Sequence, residues 1–380
     1  MRWPAGILGA LLIVVVLWDG FETIILPRRV TRRFRVTSVF YRGTWKLWSG
    51  LLRLADGRRR ERYLGWFGPF SVILLMLVWG FGLVLGFALL QWSLGAALNT
   101  PGEPAGFAVD LYMSGTTFVT LGLGDITPRT PVARLLTVLE AATGFGFLAI
   151  VISYLPVLYQ SFARREASIS LLDARAGSPS TAAELLRRHA NAGALEDLPV
   201  LLRDWERWSA ELLESHISYP VLSFFRSQHD NQSWLASLTT ILDTCAVLIA
   251  GVDGVRPWQA QLTFAMARHA VVDLAQIFNT PPRAPDPPRL TEDGLARLRD
   301  LLAPAGVAFA DPASFPSHLA ALRRMYEPYV HSLAKYLLLP VPPWLPGSRS
   351  VDNWRTSAWE RRSTGLPPSI FDGVDDEHFR

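Results

Sequence analysis

Not one charged residue stands between Arg62 and Glu103. That interval is about twice the roughly 20 apolar residues needed to cross a hydrocarbon layer of ~30 Å. A soluble helix needs a polar face, and this stretch offers no ionic one. A membrane span therefore lies within residues 66–94. Two further apolar runs are long enough to span, residues 4–26 and residues 131–159, the latter with Arg134 and Glu140 near its start. The whole chain is 50% hydrophobic and 18% charged, below the quarter of charged residues usual in soluble domains. The apolar excess sits in the first ~160 residues, and the remainder reads as a soluble region.

The connection between the first two spans sets the direction. Arg28, Arg29, Arg32, Arg33, Arg35, Arg42, Lys46, Arg53, Arg58, Arg59, Arg60 and Arg62 are opposed only by Asp56 and Glu61. Basic residues in short loops stay on the cytoplasmic side, so the N-terminus and the 95–130 connection are expected outside and the C-terminal region inside. Residues 1–20 also fit a signal peptide. No small-residue cleavage site follows them, and cleavage would leave the basic segment outside, so a retained span is the expectation. Arg29, Arg32 and Arg35 recur at every third position but lie in a polar, arginine-crowded segment, unlike a helix that moves charge through a membrane field. Attraction to anionic headgroups accounts better for the segment, with Trp45 and Trp48 suited to an interfacial helix.

Between the second and third spans, residues 107–119 form a short apolar stretch. Thr120-Leu121-Gly122-Leu123-Gly124-Asp125 follows. This order reads as a short helix and then an extended strand with alternating glycines. A dehydrated cation needs oxygens in place of its water shell, and rings of backbone carbonyls supply them. Pointing successive carbonyls one way requires some residues at positive φ, which glycine tolerates. Irregular backbone at membrane depth survives only when buried or lining a water-filled path.

These residues, with the preceding Tyr112-Met113-Ser114-Gly115-Thr116-Thr117-Phe118-Val119, resemble the pore signature of potassium channels, usually Thr-Val-Gly-Tyr-Gly-Asp. The wider stretch looks like bacterial two-helix-pore channels over residues 66–160. By chance alone Thr-x-Gly-x-Gly-Asp is expected about 0.005 times in such a chain. The resemblance implies that potassium is held by the backbone carbonyls of Thr120, Leu121, Gly122 and Leu123 and by the Thr120 hydroxyl, with Gly124 completing the filter. It places Asp125 at the outer mouth. Thr117 and Glu140 are expected to support the filter from behind, Glu140 through hydrogen bonds or a salt bridge; an interfacial charge near the outer membrane surface is the alternative for Glu140. Leu123 departs from the usual tyrosine; its side chain is expected in the pore-helix packing, without the tyrosine hydroxyl. A dinucleotide fingerprint is not formed, since Thr127 stands three positions after Gly124.

The third span would line the pore. Gly144 and Gly146 are its gating hinge candidates, Gly144 the first by resemblance; close helix packing is the alternative for both. Asp19 and Glu22 lie near the end of the first span, where pairing with the adjacent arginines is expected and a coupling contact to the gate is the alternative. One pore loop per chain cannot close a fourfold ring, so four copies are expected around an axis.

Beyond residue 164 the chain reads as helical. Thr181-Ala182-Ala183-Glu184 is a capping box, and helices are expected near 232–252, 257–279, 291–303 and 314–339. The run 234–252 is apolar enough for a fourth span, but Asp243 at its middle favours a buried core helix. The Pro-rich stretch 281–288 reads as a stiff linker, and the tail from 341 as partly disordered. The seven histidines lack metal-ligand spacing, His229-Asp230 reads as a surface pair, and the lone Cys245 as core. No catalytic constellation is visible.

The expectation is an all-α membrane protein: a pore-loop channel with an added N-terminal transmembrane helix and a helical cytoplasmic domain. Its parts are an N-terminal helix (1–27), a basic interfacial linker (28–64), a pore domain (65–163), the cytoplasmic domain (164–340) and a tail (341–380). It is expected in the inner (plasma) membrane as a potassium-conducting homotetramer in contact with anionic lipids, with no cofactor, no nucleic acid and no enzymatic activity. A weakly selective cation channel, or a non-conducting membrane sensor or scaffold, remains the alternative.

Overall fold

The computed structural model of the chain describes residues 2–26, 35–52, 57–95, 98–99, 106–229 and 231–347. Arg28, Arg29, Arg32, Arg33, Arg53, Asp56, Asp230 and the tail from 348 lie outside the described residues. Two compact units divide the chain, Met1–Gln160 and Ser161–Arg380.

The first unit is an all-α membrane architecture. Helix α1 (Trp3–Gly20) opens with Pro4 in its first turn, where a missing N–H costs nothing, and continues as a π-helical turn, Phe21–Ile25. Helix α2 spans Val36–Leu51 and α3 spans Gly57–Ser93. A Cβ on Gly9 would lie 2.5 Å from the Gly86 carbonyl, and one on Gly86 would lie 2.6 Å from Ile13 Cγ1. Small residues thus let α1 and α3 approach backbone to backbone. Helix α2 presses Trp45 against the Phe67 ring at 4.8 Å and leaves Val39, Leu47 and Leu51 exposed.

A short helix, α4 (Phe107–Phe118), is followed by the motif strand and then α5 (Pro131–Ala176). Strands β1 (Leu98–Asn99) and β2 (Thr127–Pro128) pair antiparallel, Leu98 opposite Pro128, and close the connection on itself. Helix α5 runs 17 residues beyond the expected end at Tyr159. Pro156 stays inside it, and the helix stops only where Gly177 takes φ +78° and its N–H bonds the Asp173 carbonyl at 2.9 Å, a left-handed glycine stop.

The second unit packs helices around α8 (Trp234–Gly251). Among the described residues four helices are long and apolar enough to cross a membrane, α8 among them, yet 89% of its apolar window is buried inside the protein against 22%, 44% and 11% for the windows of α1, α3 and α5. Helix α8 is a core helix. Against it pack α6 (Ala182–Asn191), α7 (Leu198–Ser218) and α9 (Trp258–Ile277), and α10 (Glu292–Leu302) packs on α6. Thr181 caps α6 by accepting from the Glu184 N–H at 3.2 Å, while the Glu184 carboxylate turns to Arg187 and Arg188, so half of the capping box forms. The single helix expected over 314–339 is two, α11 (Phe315–Arg324) and α12 (Glu327–Leu337). Pro328 in the first turn of α12 has no N–H to give the Arg324 carbonyl, and the break buries Tyr326.

Candidate pore loop

Helix α4 is held from behind. The Ser114 hydroxyl reaches the Val84 carbonyl of α3 at 2.7 Å and also contacts Glu140 Oε1 of α5. Glu140 is fully buried, and its Oε2 has no hydrogen-bond partner. Gln91 of α3 donates to the Ala133 carbonyl and to Thr137 Oγ1, each at 3.2 Å. At the C-terminal end of α4, Phe118 joins a core of Val16, Leu75, Trp79 and Leu83, with Phe147 packed against it. Gly144 is buried against the Phe118 carbonyl; a Cβ there would overlap that carbonyl. Gly146 meets nothing comparable.

The strand after α4 alternates. Thr120 has φ +59°, Gly122 +52° and Gly124 +80°, while Leu121 and Leu123 are not in the positive region. Changing hand at every second residue turns successive carbonyls toward one side instead of opposite sides. Thr120 is β-branched, and positive φ is an outlier for such a residue. The Thr116 carbonyl accepts from the Leu121 N–H at 2.8 Å and the Gly122 N–H at 3.2 Å, and the Thr117 carbonyl accepts from Thr120 at 3.0 Å. The last turn of α4 thus ties down the amide side of the strand and leaves its carbonyls unused by these bonds. At the far end the Tyr112 hydroxyl donates to Asp125 Oδ2 at 3.0 Å.

The structure therefore brings Thr117, Thr120, Leu121, Gly122, Leu123, Gly124 and Asp125 into one loop, with Glu140 and Gly144 behind the helix that carries it. Residues 119–125 are all exposed in the single chain. Leu123, expected in the pore-helix packing, is 60% exposed, because its own chain offers no wall on that side. Tyr112, Ser114 and Gln91 were given no role from sequence. Tyr112 and Ser114 belong to the motif stretch, in which Tyr112 also has its partner Asp125, whereas the Ser114 partners Val84 and Glu140 lie outside it, on other helices. Asp19 accepts from Thr37 and from Trp79 Nε1, while four of the arginines it is expected to pair with, Arg28, Arg29, Arg32 and Arg33, lie outside the described residues; Glu22 pairs with Arg35, at 3.6 Å. Among the described residues no group of three or more His, Cys, Asp or Glu side chains could hold a metal ion.

The family model described as "Ion channel" matches residues 72–160, which run from within α3 through α4 and the motif strand into α5. A curated relative, the uncharacterized membrane protein YdjJ of Bacillus subtilis (strain 168), is 24% identical over 264 residues, covering 66% of this chain and 75% of that one. No solved structure matches the chain.

Proposed function

We propose that this chain, whose residues 72–160 match the family model described as "Ion channel", is one subunit of a homotetrameric channel that conducts potassium passively down its electrochemical gradient. The observation that carries the reading is the alternation of backbone hand at residues 120, 122 and 124. Four such strands around an axis would present rings of carbonyls from Thr120, Leu121, Gly122 and Leu123, with the Thr120 hydroxyl at the inner end and Gly124 leading to Asp125 at the outer mouth. Carbonyl rings of this kind replace an ion's hydration shell.

Fourfold assembly is supported by what one chain leaves uncovered. Helix α5 has an apolar window only 11% buried, against 44% for α3, and exposes Leu135, Val138, Phe145, Leu148 and Ile152. A pore-lining helix needs faces for neighbours and for the conduction path. Thr117 and Glu140 act as supports of the filter, Thr117 through its carbonyl and Glu140 through Ser114. Gly144 serves close packing against Phe118, which leaves Gly146 as the hinge candidate.

By the positive-inside rule the arginine-rich segment 27–63 and the region after α5 face the cytoplasm of a plasma membrane, with the N-terminus outside. Helix α2, with exposed Val39, Leu47 and Leu51 beside Arg42 and Lys46, suits the surface of a bilayer carrying anionic lipid. A cation channel of weaker selectivity is the second reading, favoured by one observation: Leu123 offers no hydroxyl to brace the strand from behind.

Bi-ionic recordings on reconstituted full-length protein test the proposal. Permeability to potassium well above that to sodium is expected. Equal permeability would favour the second reading, and absence of flux together with specific capture of a protein partner would favour a sensor or scaffold.

A further inference from the structure

A carboxyl group inside a membrane helix is costly unless donors surround it. Asp19 closes the last turns of α1 and is 4% exposed. Its Oδ2 accepts from the Thr37 N–H at 3.1 Å, from the Thr37 hydroxyl at 2.5 Å and from Trp79 Nε1 at 3.0 Å. The two donor residues belong to different helices. Thr37 sits in the first turn of α2, whose own N-cap residue, Arg35, makes no side-chain cap. The amides of that first turn lack intrahelical acceptors, and Asp19 supplies one from another helix. Trp79 belongs to α3, and its indole packs in the cluster that holds Phe118 and Phe147.

Phe118 is the last residue of α4, two before Thr120. Its ring lies 5.7 Å from that of Phe147, and its carbonyl presses on Gly144. The orientation of the Trp79 ring therefore shapes the wall against which the filter end of α4 rests, and one hydrogen bond to Asp19 fixes that orientation.

We propose that Asp19 is a positioning residue for the filter, acting through Trp79: it locks the start of the surface helix α2 and the wall behind Phe118 into one arrangement. The consequence for ion selection rests on the channel reading above. The contact chain itself does not, and both can be read separately.

The test uses the full-length protein in vesicles of equal parts phosphatidylcholine and phosphatidylglycerol. Trp79→Phe keeps the packed ring and removes the N–H; Asp19→Asn keeps one acceptor oxygen; the double variant closes the cycle. Amide hydrogen exchange at residues 118–122 is expected to rise about tenfold in Trp79→Phe and no further in the double variant. The potassium-to-sodium permeability ratio should fall in the same variants, a readout that does not depend on how many channels fold. Wild-type protection at 118–122 in Trp79→Phe overturns the proposal. So does a uniform loss of protection along α3 and α5, which is the mark of general destabilisation. If wild-type protein passes no ions at all, the channel reading fails while the exchange measurement still decides the role of Asp19.

Discussion

The Tyr112 hydroxyl donates to Asp125 Oδ2 over 3.0 Å, joining the first half of α4 to the outer end of the strand that α4 leads into. The Thr116 carbonyl, accepting from Leu121 and Gly122, ties down the inner end. The strand is thus braced at both ends by the helix before it. Tyr112→Phe removes the outer brace, worth about 0.5–1.5 kcal/mol per chain. Conduction should persist with a lower potassium-to-sodium permeability ratio, measured from reversal potentials before and after the substitution.

Gly124→Ala tests the backbone itself. A Cβ at Gly124 meets nothing within 4 Å in its own chain, so the cost comes from φ +80°, about 1–2 kcal/mol per chain for an L residue in that region. Four chains incur it together, and the strand can escape only by flipping. Folded tetramer without flux is the expected outcome, read by size-exclusion chromatography and an ion-flux assay on the same preparation.

The two glycines of α5 should behave differently. Gly144→Ala drives a methyl into the Phe118 carbonyl, and overpacking of this kind costs about 1–3 kcal/mol. Gly146→Ala has room. The thermal midpoint in detergent should fall for the first and hold for the second; the second should instead alter opening if α5 bends there.

In the second unit Arg289 lies between two buried carboxylates, with Nη2 2.7 Å from Asp243 and Nη1 3.1 Å from Glu327. Tyr326 also donates to Asp243, and Trp344 to Glu327. Arg289→Met leaves two buried acids without this partner, at a cost of about 3–5 kcal/mol. A marked drop in the unfolding midpoint of the full chain is expected, with Asp243→Asn in the same background recovering part of it.

Much of this was legible because its causes are local. Hydrocarbon thickness fixes the length of a span, so the three spans show as runs of sequence. Alternating glycines are needed wherever carbonyls share a direction, so Gly122 and Gly124 mark the strand. Partnerships across the fold were not legible. Nothing near Asp19 in the chain names Trp79 as its donor, and the place of Glu140 behind Ser114 depends on how α4 lies against α5. The split at Tyr326 was missed because the apolar period continues across it; Pro328 was the available signal. The packing expected of Leu123 belongs to the assembly, because a single chain holds only part of its surroundings.

His216 gives a pH dependence. Burial, and then the Arg165 guanidinium facing its Nε2 at 3.3 Å, hold the imidazole well below its ordinary value of 6.5. The unfolded chain takes up a proton there near pH 6.5 and the folded chain does not. Stability is therefore full above that pH and is lost as pH falls below it, by up to about 1.4 kcal/mol per pH unit. Denaturant titrations at about pH 7.5 and about pH 5.5 should show the loss, and His216→Gln, which keeps an acceptor for Arg165, should flatten it.

The most direct measurement is the bi-ionic reversal potential of purified wild-type protein in a planar bilayer, potassium on one side and sodium on the other. A reversal displaced strongly toward the potassium equilibrium potential, in currents that Gly122→Ala abolishes, is the predicted result. A reversal near zero, or currents that survive Gly122→Ala unchanged, would contradict a potassium filter built from the main chain of residues 120–124.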